Sequence, residues 1–162
     1  MTSNIHAGYA KNNDGGTNVN ASESDVFQIQ WGLLHPGTGL FGLATYQKEN
    51  SDNATPGSGD SGDAWYFKGG IKKKWAAFGP TSLYIEYGLY NDQYGLANAD
   101  GVSGSEVDRI GLAVDQEIGS RLRIYGKWKR LSLDVDGNAT AQTLYGGAED
   151  LNLFTLGFVV FY

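Results

Sequence analysis

Eight stretches of this chain alternate between apolar and polar residues with a period of two. Because successive side chains of a β-strand point to opposite faces, this period predicts strands. No stretch keeps a 3.6-residue period over three turns, so we expect strands to carry the secondary structure of one all-β domain. High glycine and aromatic contents agree with this. The predicted strands are Ile5–Lys11, Val26–Leu34, Leu40–Lys48, Ala64–Phe78, Ser82–Asn91, Val107–Ile118, Arg121–Leu133 and Leu151–Tyr162.

The connections between these strands alternate strictly in length. Long polar connections occupy residues 12–25, 49–63, 92–106 and 134–150, and short ones occupy 35–39, 79–81 and 119–120. One end of the fold is therefore expected to carry the large loops and the other end the tight turns. Transmembrane β-barrels have this asymmetry. The pattern predicts an antiparallel up-and-down transmembrane β-barrel, with eight strands visible in this chain.

Each predicted strand has one apolar side and one polar or small side. A soluble barrel turns its apolar side inward, whereas a membrane barrel turns it toward lipid, so alternation alone does not decide between them. Glycine and alanine among the polar sides suit a crowded or water-filled lumen. Aromatic residues near strand ends on the apolar sides suit the girdles at membrane interfaces, and we place six residues there: Tyr9, Trp65, Trp75, Tyr87, Trp128 and Tyr162.

The last predicted strand, LNLFTLGFVVFY, is apolar to its final aromatic residue. A strand in lipid must pair along its whole length, because an open edge would leave backbone groups unpaired in hydrocarbon. Alternating apolar residues before a terminal aromatic resemble the signal that outer-membrane proteins present to their assembly machinery. The residues predicted to form this signal are Phe154, Leu156, Phe158, Val160 and Tyr162.

Three segments resemble the porins of alphaproteobacteria. They read AWYFKGGIKKKWAAFGPTSLYIEYGLYND, GSEVDRIGLAVDQEIGSRLRIYGKWKRLSLD and EDLNLFTLGFVVFY. Members of that family have 16 strands, a signal peptide and trimers of water-filled barrels. This sequence has half the strands and lacks the basic start and apolar core of a signal peptide. The resemblance therefore implies either a single eight-stranded domain over residues 1–162 or the C-terminal half of a porin.

Charged residues on the polar sides are predicted to line the lumen. In a wide barrel, basic and acidic walls would create a transverse field that orders polar solutes, with a slight preference for anions. In a closed eight-stranded barrel, side chains just fill the lumen, so these charges would have to pair. Seven bases against three acids are expected to pair poorly, which favours the wider lumen. The predicted pore-lining residues are Lys68, Lys72, Lys74, Glu86, Arg109, Asp115, Glu117, Arg123, Lys127 and Lys129.

Several function classes are not expected from this sequence. The formal net charge of −6 disfavours a nucleic-acid partner. The chain has no cysteine and only two histidines, His6 and His35. The motif GDSGD at Gly59–Asp63 resembles a serine-protease nucleophile loop, but no triad can be assembled around it. We therefore expect no catalytic residues, no metal site and no cofactor.

The predicted function is passive diffusion of small hydrophilic solutes and ions through an outer-membrane porin. The partners expected are outer-membrane lipid and lipopolysaccharide, the barrel assembly machinery, and further copies of the chain in a homotrimer. Two alternatives remain open. One is a complete, non-conducting eight-stranded membrane barrel with a structural or adhesive role. The other is a soluble, lipocalin-like barrel that binds an apolar ligand in its interior.

Overall fold

The computed structural model describes residues 1–13, 23–52, 60–92 and 101–162. Within these ranges the chain forms eight strands and one short helix. They are β1 (Thr2–Asn13), β2 (Glu23–His35), β3 (Leu40–Asp52), β4 (Asp60–Ala76), β5 (Gly79–Asn91), β6 (Val102–Ile118), β7 (Leu122–Gly137), α1 (Ala139–Tyr145) and β8 (Leu151–Val160).

The strands form one sheet in chain order, and every neighbouring pair is antiparallel. The predicted all-β, up-and-down topology is confirmed. Among the described residues, β1 and β8 are the two edges and do not pair with each other, so this sheet is open. Closure into a barrel therefore stays a prediction.

Four strands extend by four or more residues at one end beyond the segments predicted from alternation: β3 continues to Asp52, β4 begins at Asp60, and both strands of the β6–β7 hairpin are longer. β6 begins at Val102 rather than Val107, and β7 ends at Gly137 rather than Leu133. The ladder continues through polar residues to the pair Val102 and Gly137. Backbone hydrogen bonds do not depend on side-chain polarity, so the apolar pattern stops before the strand does.

Two short connections are tight turns close to where they were predicted, at residues 36–39 and 119–121. The prediction for the third was wrong: the turn lies at Ala77 and Phe78, and residues 79–81, predicted as a connection, begin β5. In the turn between β2 and β3, the N–H of Gly39 donates to the carbonyl of His35 at 2.8 Å. Gly39 has a φ of +79°, a left-handed conformation that favours glycine. Three of the four long connections include residues outside the described ranges, namely 14–22, 53–59 and 93–100.

The fourth long connection contains helix α1, which the alternation did not predict. Asn138 caps this helix, because its side-chain oxygen accepts hydrogen bonds from the N–H groups of Thr140 and Ala141 at 2.9 and 3.2 Å. Ala141 packs with Val102 and Val135 in a small apolar cluster at the end of the β6–β7 hairpin. The helix has only seven residues, too few to show a helical period in sequence.

Little of the described chain is buried as an apolar core. The buried hydrophobic residues are Ala64, Val102, Val135 and Ala141, and no large side chain among the described residues is fully buried. Large apolar side chains instead lie exposed across the sheet. None of the described helices has the length and hydropathy needed to cross a membrane.

Candidate functional site

The strand register divides the sheet into two chemically different faces. On the first, called the polar face, cross-strand neighbours of Glu86 are Lys68 on β4 and Gly111 on β6, and Gly111 lies opposite Lys129 on β7. The second, called the apolar face, carries Ile85 and its neighbours. By register or alternation along their strands, nine of the ten predicted pore-lining residues belong to the polar face; the tenth, Lys74, lies where the β4–β5 register shifts.

Glu86 is the centre of a cluster on the polar face and is only 7% exposed. Its carboxylate accepts hydrogen bonds from the Tyr66 hydroxyl at 2.8 Å and from Arg109 Nη2 at 2.5 Å. Lys129 Nζ lies 3.5 Å from the same carboxylate. A buried carboxylate needs such partners, because an unpaired charge is costly away from water.

The other two acids on the predicted lumen side are also paired. Both carboxylate oxygens of the buried Asp115 accept from Arg123 Nε at 2.8 Å. Glu117 accepts from Lys72 Nζ at 2.6 Å in a more exposed pair. Four of the seven bases thus reach a described acid, and the other three, Lys68, Lys74 and Lys127, do not.

Two further lysines lie against tyrosine rings rather than acids. Lys68 Nζ is 3.7 Å from the ring centre of Tyr84, and Lys127 Nζ is 5.1 Å from that of Tyr125. Both distances allow a cation–π interaction. Lys74 is exposed and lies where the β4–β5 register shifts between Lys73 and Ala76.

These tyrosines were not predicted as part of the site. They lie on the same side of their strands as the charged residues, so the alternation that located Lys68 also contained Tyr66. No pattern in the sequence connects Tyr66 with Glu86. The two residues are 20 positions apart, and the β4–β5 register brings their side chains together.

Burial differs sharply between the two faces. On β6, Gly111 and Asp115 of the polar face are buried, whereas Leu112 of the apolar face is 51% exposed. On β5, Glu86 is buried while Ile85 is 51% exposed. On these two central strands the polar-face residues named are shielded and the apolar ones are open, the reverse of a soluble barrel with an apolar interior.

The apolar face carries a continuous band without charged residues. Each strand contributes three or four successive outward positions to it, for example Ile110, Leu112 and Val114 on β6. At the end of the sheet with the long connections, one polar or charged residue bounds the band on every strand. These residues are Lys11, Asp25, Lys48, Asp63, Asn91, Asp108, Arg130 and Asn152.

The band crosses the strands at a slant. The row of cross-strand neighbours through Arg130 reaches β2 at Trp31, six residues from the boundary at Asp25. The opposite boundary shifts in the same direction: the row through Ser3 reaches β4 at Gly69, four residues before Lys73. The boundary residues Lys11 on β1 and Asn152 on β8 differ by the same six residues across seven inter-strand spacings. With about 3.3 Å per residue and about 4.8 Å per spacing, the upper boundary is inclined by roughly 30° over the whole sheet.

Aromatic side chains make polar contacts at the margins of the band. The Tyr87 hydroxyl donates to Asp108 at 2.5 Å, and Trp128 Nε1 donates to Asn152 at 3.2 Å. At the opposite margin, Trp31 Nε1 donates to Ser3 at 2.9 Å. Each ring thus has an apolar body in the band and a polar atom bonded at its edge, as in interfacial aromatic belts.

An ion pair lies at the same margin between β7 and the connection that precedes β8. Arg130 Nε donates to the Asp150 carboxylate at 3.0 Å. Hydrogen bonds from Ser132 and Arg130 hold the pKa of the exposed Asp150 carboxyl below its usual range. This pair is consistent with a charged boundary facing water.

The residues predicted as an assembly signal share the apolar face of the edge strand. Phe154, Leu156, Phe158 and Val160 lie on β8 and are 80%, 84%, 70% and 54% exposed, and Tyr162 follows the end of the strand. The pairing with β7 places Phe154, Leu156, Phe158 and Val160 on one face; it does not include Tyr162. Their role in assembly is not tested by this geometry.

No group of three or more histidines, cysteines and acids in the described ranges is arranged to hold a metal ion. Comparisons with protein-family models, curated proteins and solved structures gave no match.

Proposed function

We propose that this chain forms the wall of an outer-membrane, porin-like β-barrel that allows passive diffusion of small hydrophilic solutes. The observation that carries this proposal is the slanted, charge-free band on the exposed face of the sheet. Outer-membrane lipid is the partner implied, because hydrocarbon is the environment that such a band suits.

The dimensions of the band support a membrane location. On β6 it lies between Asp108 and Gln116, which is roughly 26 Å of extended strand. Transmembrane barrels have an apolar band about 25 Å tall and strands tilted by about 35–45°. The inclination of roughly 30° inferred from the register is close to that tilt. Because both boundaries slant together, tilting the strands brings the apolar segments of all of them to the same depth in the membrane.

The polar face supports an aqueous side. Its acids Glu86, Asp115 and Glu117 are paired, yet Lys68 and Lys127 form no ion pair with a described acid. This excess of cations would favour passage of anions over cations. In lipid the outer edges of β1 and β8 must also be hydrogen-bonded, either to each other or to further strands.

A non-conducting barrel is the second candidate, and the pairing of all three acids favours it. If the eight strands close on themselves, side chains fill the interior, and paired charges are what such an interior requires. A soluble barrel with an apolar ligand inside is disfavoured, because the apolar face is the exposed one.

Planar-bilayer recordings would test the proposed function. We expect the reconstituted chain to conduct, and K127E to shift the reversal potential toward cation selectivity. K73E is the matched control, since Lys73 lies on the opposite face of β4 and should leave selectivity unchanged. A folded, membrane-inserted chain without conductance would contradict the porin and favour the non-conducting barrel. A monomer that stays dissolved without detergent would contradict both.

A further inference from the structure

The polar face contains a hollow whose lining is mostly uncharged. It has a volume of about 310 Å³ and lies over β2–β6. We call it the neutral hollow. This volume is at the lower end of the roughly 300–1,000 Å³ typical of small-molecule sites. The side chains that define its chemistry are Gln28, Gln30, Thr45, Gln47, Tyr90 and Arg109.

Strand register builds the neutral hollow from two adjacent rows. In one row Gln28 lies opposite Gln47, and Gln47 lies opposite Ala64. In the other, Gln30 lies opposite Thr45, and the row continues to Gly88. Small residues at these inner positions leave space where larger side chains would fill the surface.

Gly88 also determines the position of the Tyr90 ring, which forms one side of the hollow. A Cβ at this position would lie 2.7 Å from a ring carbon of Tyr90 and 2.9 Å from its hydroxyl oxygen. The glycine therefore allows the Tyr90 ring to lie along β5, with its hydroxyl 3.5 Å from Arg109 Nη1. The ring thus adds an apolar surface to a hollow that the glutamine amides and Thr45 also line.

Arg109, Tyr66 and Tyr90 are hydrogen-bonded, but the other polar side chains of the hollow have no partner in the described part of the chain. The side chains of Gln28, Gln30, Thr45 and Gln47 form no hydrogen bond with another described residue. Arg109 Nε is buried and has no acceptor among the described residues. Because this nitrogen is closed to solvent, it does not face the hollow, and the free hydrogen-bonding capacity there belongs to the amides and to Thr45.

The charge balance of the hollow favours an uncharged ligand. Arg109 is its only charged residue, and Glu86 already pairs with that guanidinium at 2.5 Å. Amides and hydroxyls each offer both donors and acceptors, as sugar hydroxyls do. A separate hollow of about 220 Å³ on the same face is instead lined by Lys68, Lys72, Arg123 and Lys127 together with acids.

We propose that the neutral hollow binds an uncharged polyhydroxylated solute of monosaccharide size. The glutamine amides and Thr45 exchange hydrogen bonds with its hydroxyls, and the Tyr90 ring packs against its C–H groups. This inference rests on the proposed function in that the polar face must meet solutes, and it names the class of solute that is retained there.

Saturation-transfer NMR with glucose would test this site on the folded chain in detergent micelles. We expect weak, saturable binding, and a loss of at least about 10-fold in the Q28L/Q47L variant, which removes two amides. K73Q is the matched control, because Lys73 lies on the opposite face of β4 and does not line this hollow. T45V provides a nearly isosteric second variant, for which we expect about a threefold or larger loss of affinity.

Absence of glucose binding to the folded chain would overturn the site. Unchanged binding in both Q28L/Q47L and T45V would also overturn it, as would preferential binding of acetate over glucose that these substitutions weaken. If Q28L/Q47L does not fold, T45V decides. Because the assay needs no transport, a chain that binds glucose but does not conduct contradicts the proposed function and leaves this site standing.

Discussion

Glu86 illustrates how one buried side chain organises the polar face. It is 7% exposed, and three side chains on three different strands, Tyr66, Arg109 and Lys129, reach its carboxylate. The pair of Glu117 and Lys72 has a similar geometry but lies in a more exposed position. Burial rather than distance therefore distinguishes these two acids, and it determines what loss of each charge should cost.

Replacement of Glu86 by glutamine should destabilise the fold by about 1–3 kcal/mol, because Arg109 loses its charged acceptor in a shielded position. The matched variant E117Q should cost less than about 1 kcal/mol, since an exposed pair contributes little. Urea unfolding in detergent micelles, followed by tryptophan fluorescence, measures both. Equal losses in the two variants would contradict the assigned role of burial.

The edge strand β8 has adjacent exposed residues on the two opposite faces of the sheet. Leu156 and Thr155 are adjacent and both exposed, yet the pairing with β7 places them on opposite faces. In water a lysine at either position would change the free energy of folding little, because both side chains already contact solvent. In a bilayer only the residue at position 156 would face hydrocarbon.

We therefore expect L156K to weaken folding into phosphatidylcholine vesicles by about 2–4 kcal/mol, the cost of a lysine near the midplane on the lipid face of a barrel. T155K, on the polar face, should change it by less than about 1 kcal/mol. Urea titration of the membrane-folded fraction measures the difference. Equally small effects of the two substitutions would contradict a lipid-facing β8.

The slant of the apolar band is a property of the whole sheet. The upper boundary lies at Lys11 and Asp25 on the first two strands, and by β7 it lies at Arg130, six residues away in register. A flat surface would not require this shift. A sheet whose strands tilt through a layer of fixed thickness does require it, since each strand meets the layer at a different point of its ladder.

Polarised infrared spectroscopy of aligned bilayers would measure this tilt. We expect the amide I dichroism to give strands inclined by roughly 30–45° from the bilayer normal, combining the register of this sheet with the usual range for barrels. A protein bound loosely at the membrane surface would show no such orientation. An isotropic signal from vesicle-bound, folded chain would contradict a spanning sheet.

Much of the fold was predictable from alternation, because the period of two is a local property of the backbone. The eight strands, their order and the residues on each face follow from it. Helix α1 was missed because seven residues are too few to show a period, and the ends of β6 and β7 were missed because their pairing continues beyond the apolar pattern.

The sequence by itself determined which residues face the same way, since each strand alternates whatever its neighbours do. It did not determine which charges meet: the contacts of Glu86 with Arg109, the slant of the apolar band and the neutral hollow at Gln47 all depend on register between strands. Register is set by hydrogen bonds between segments distant in the chain, and a shift of one residue would turn every side chain to the other face. Only the tertiary structure decided these features.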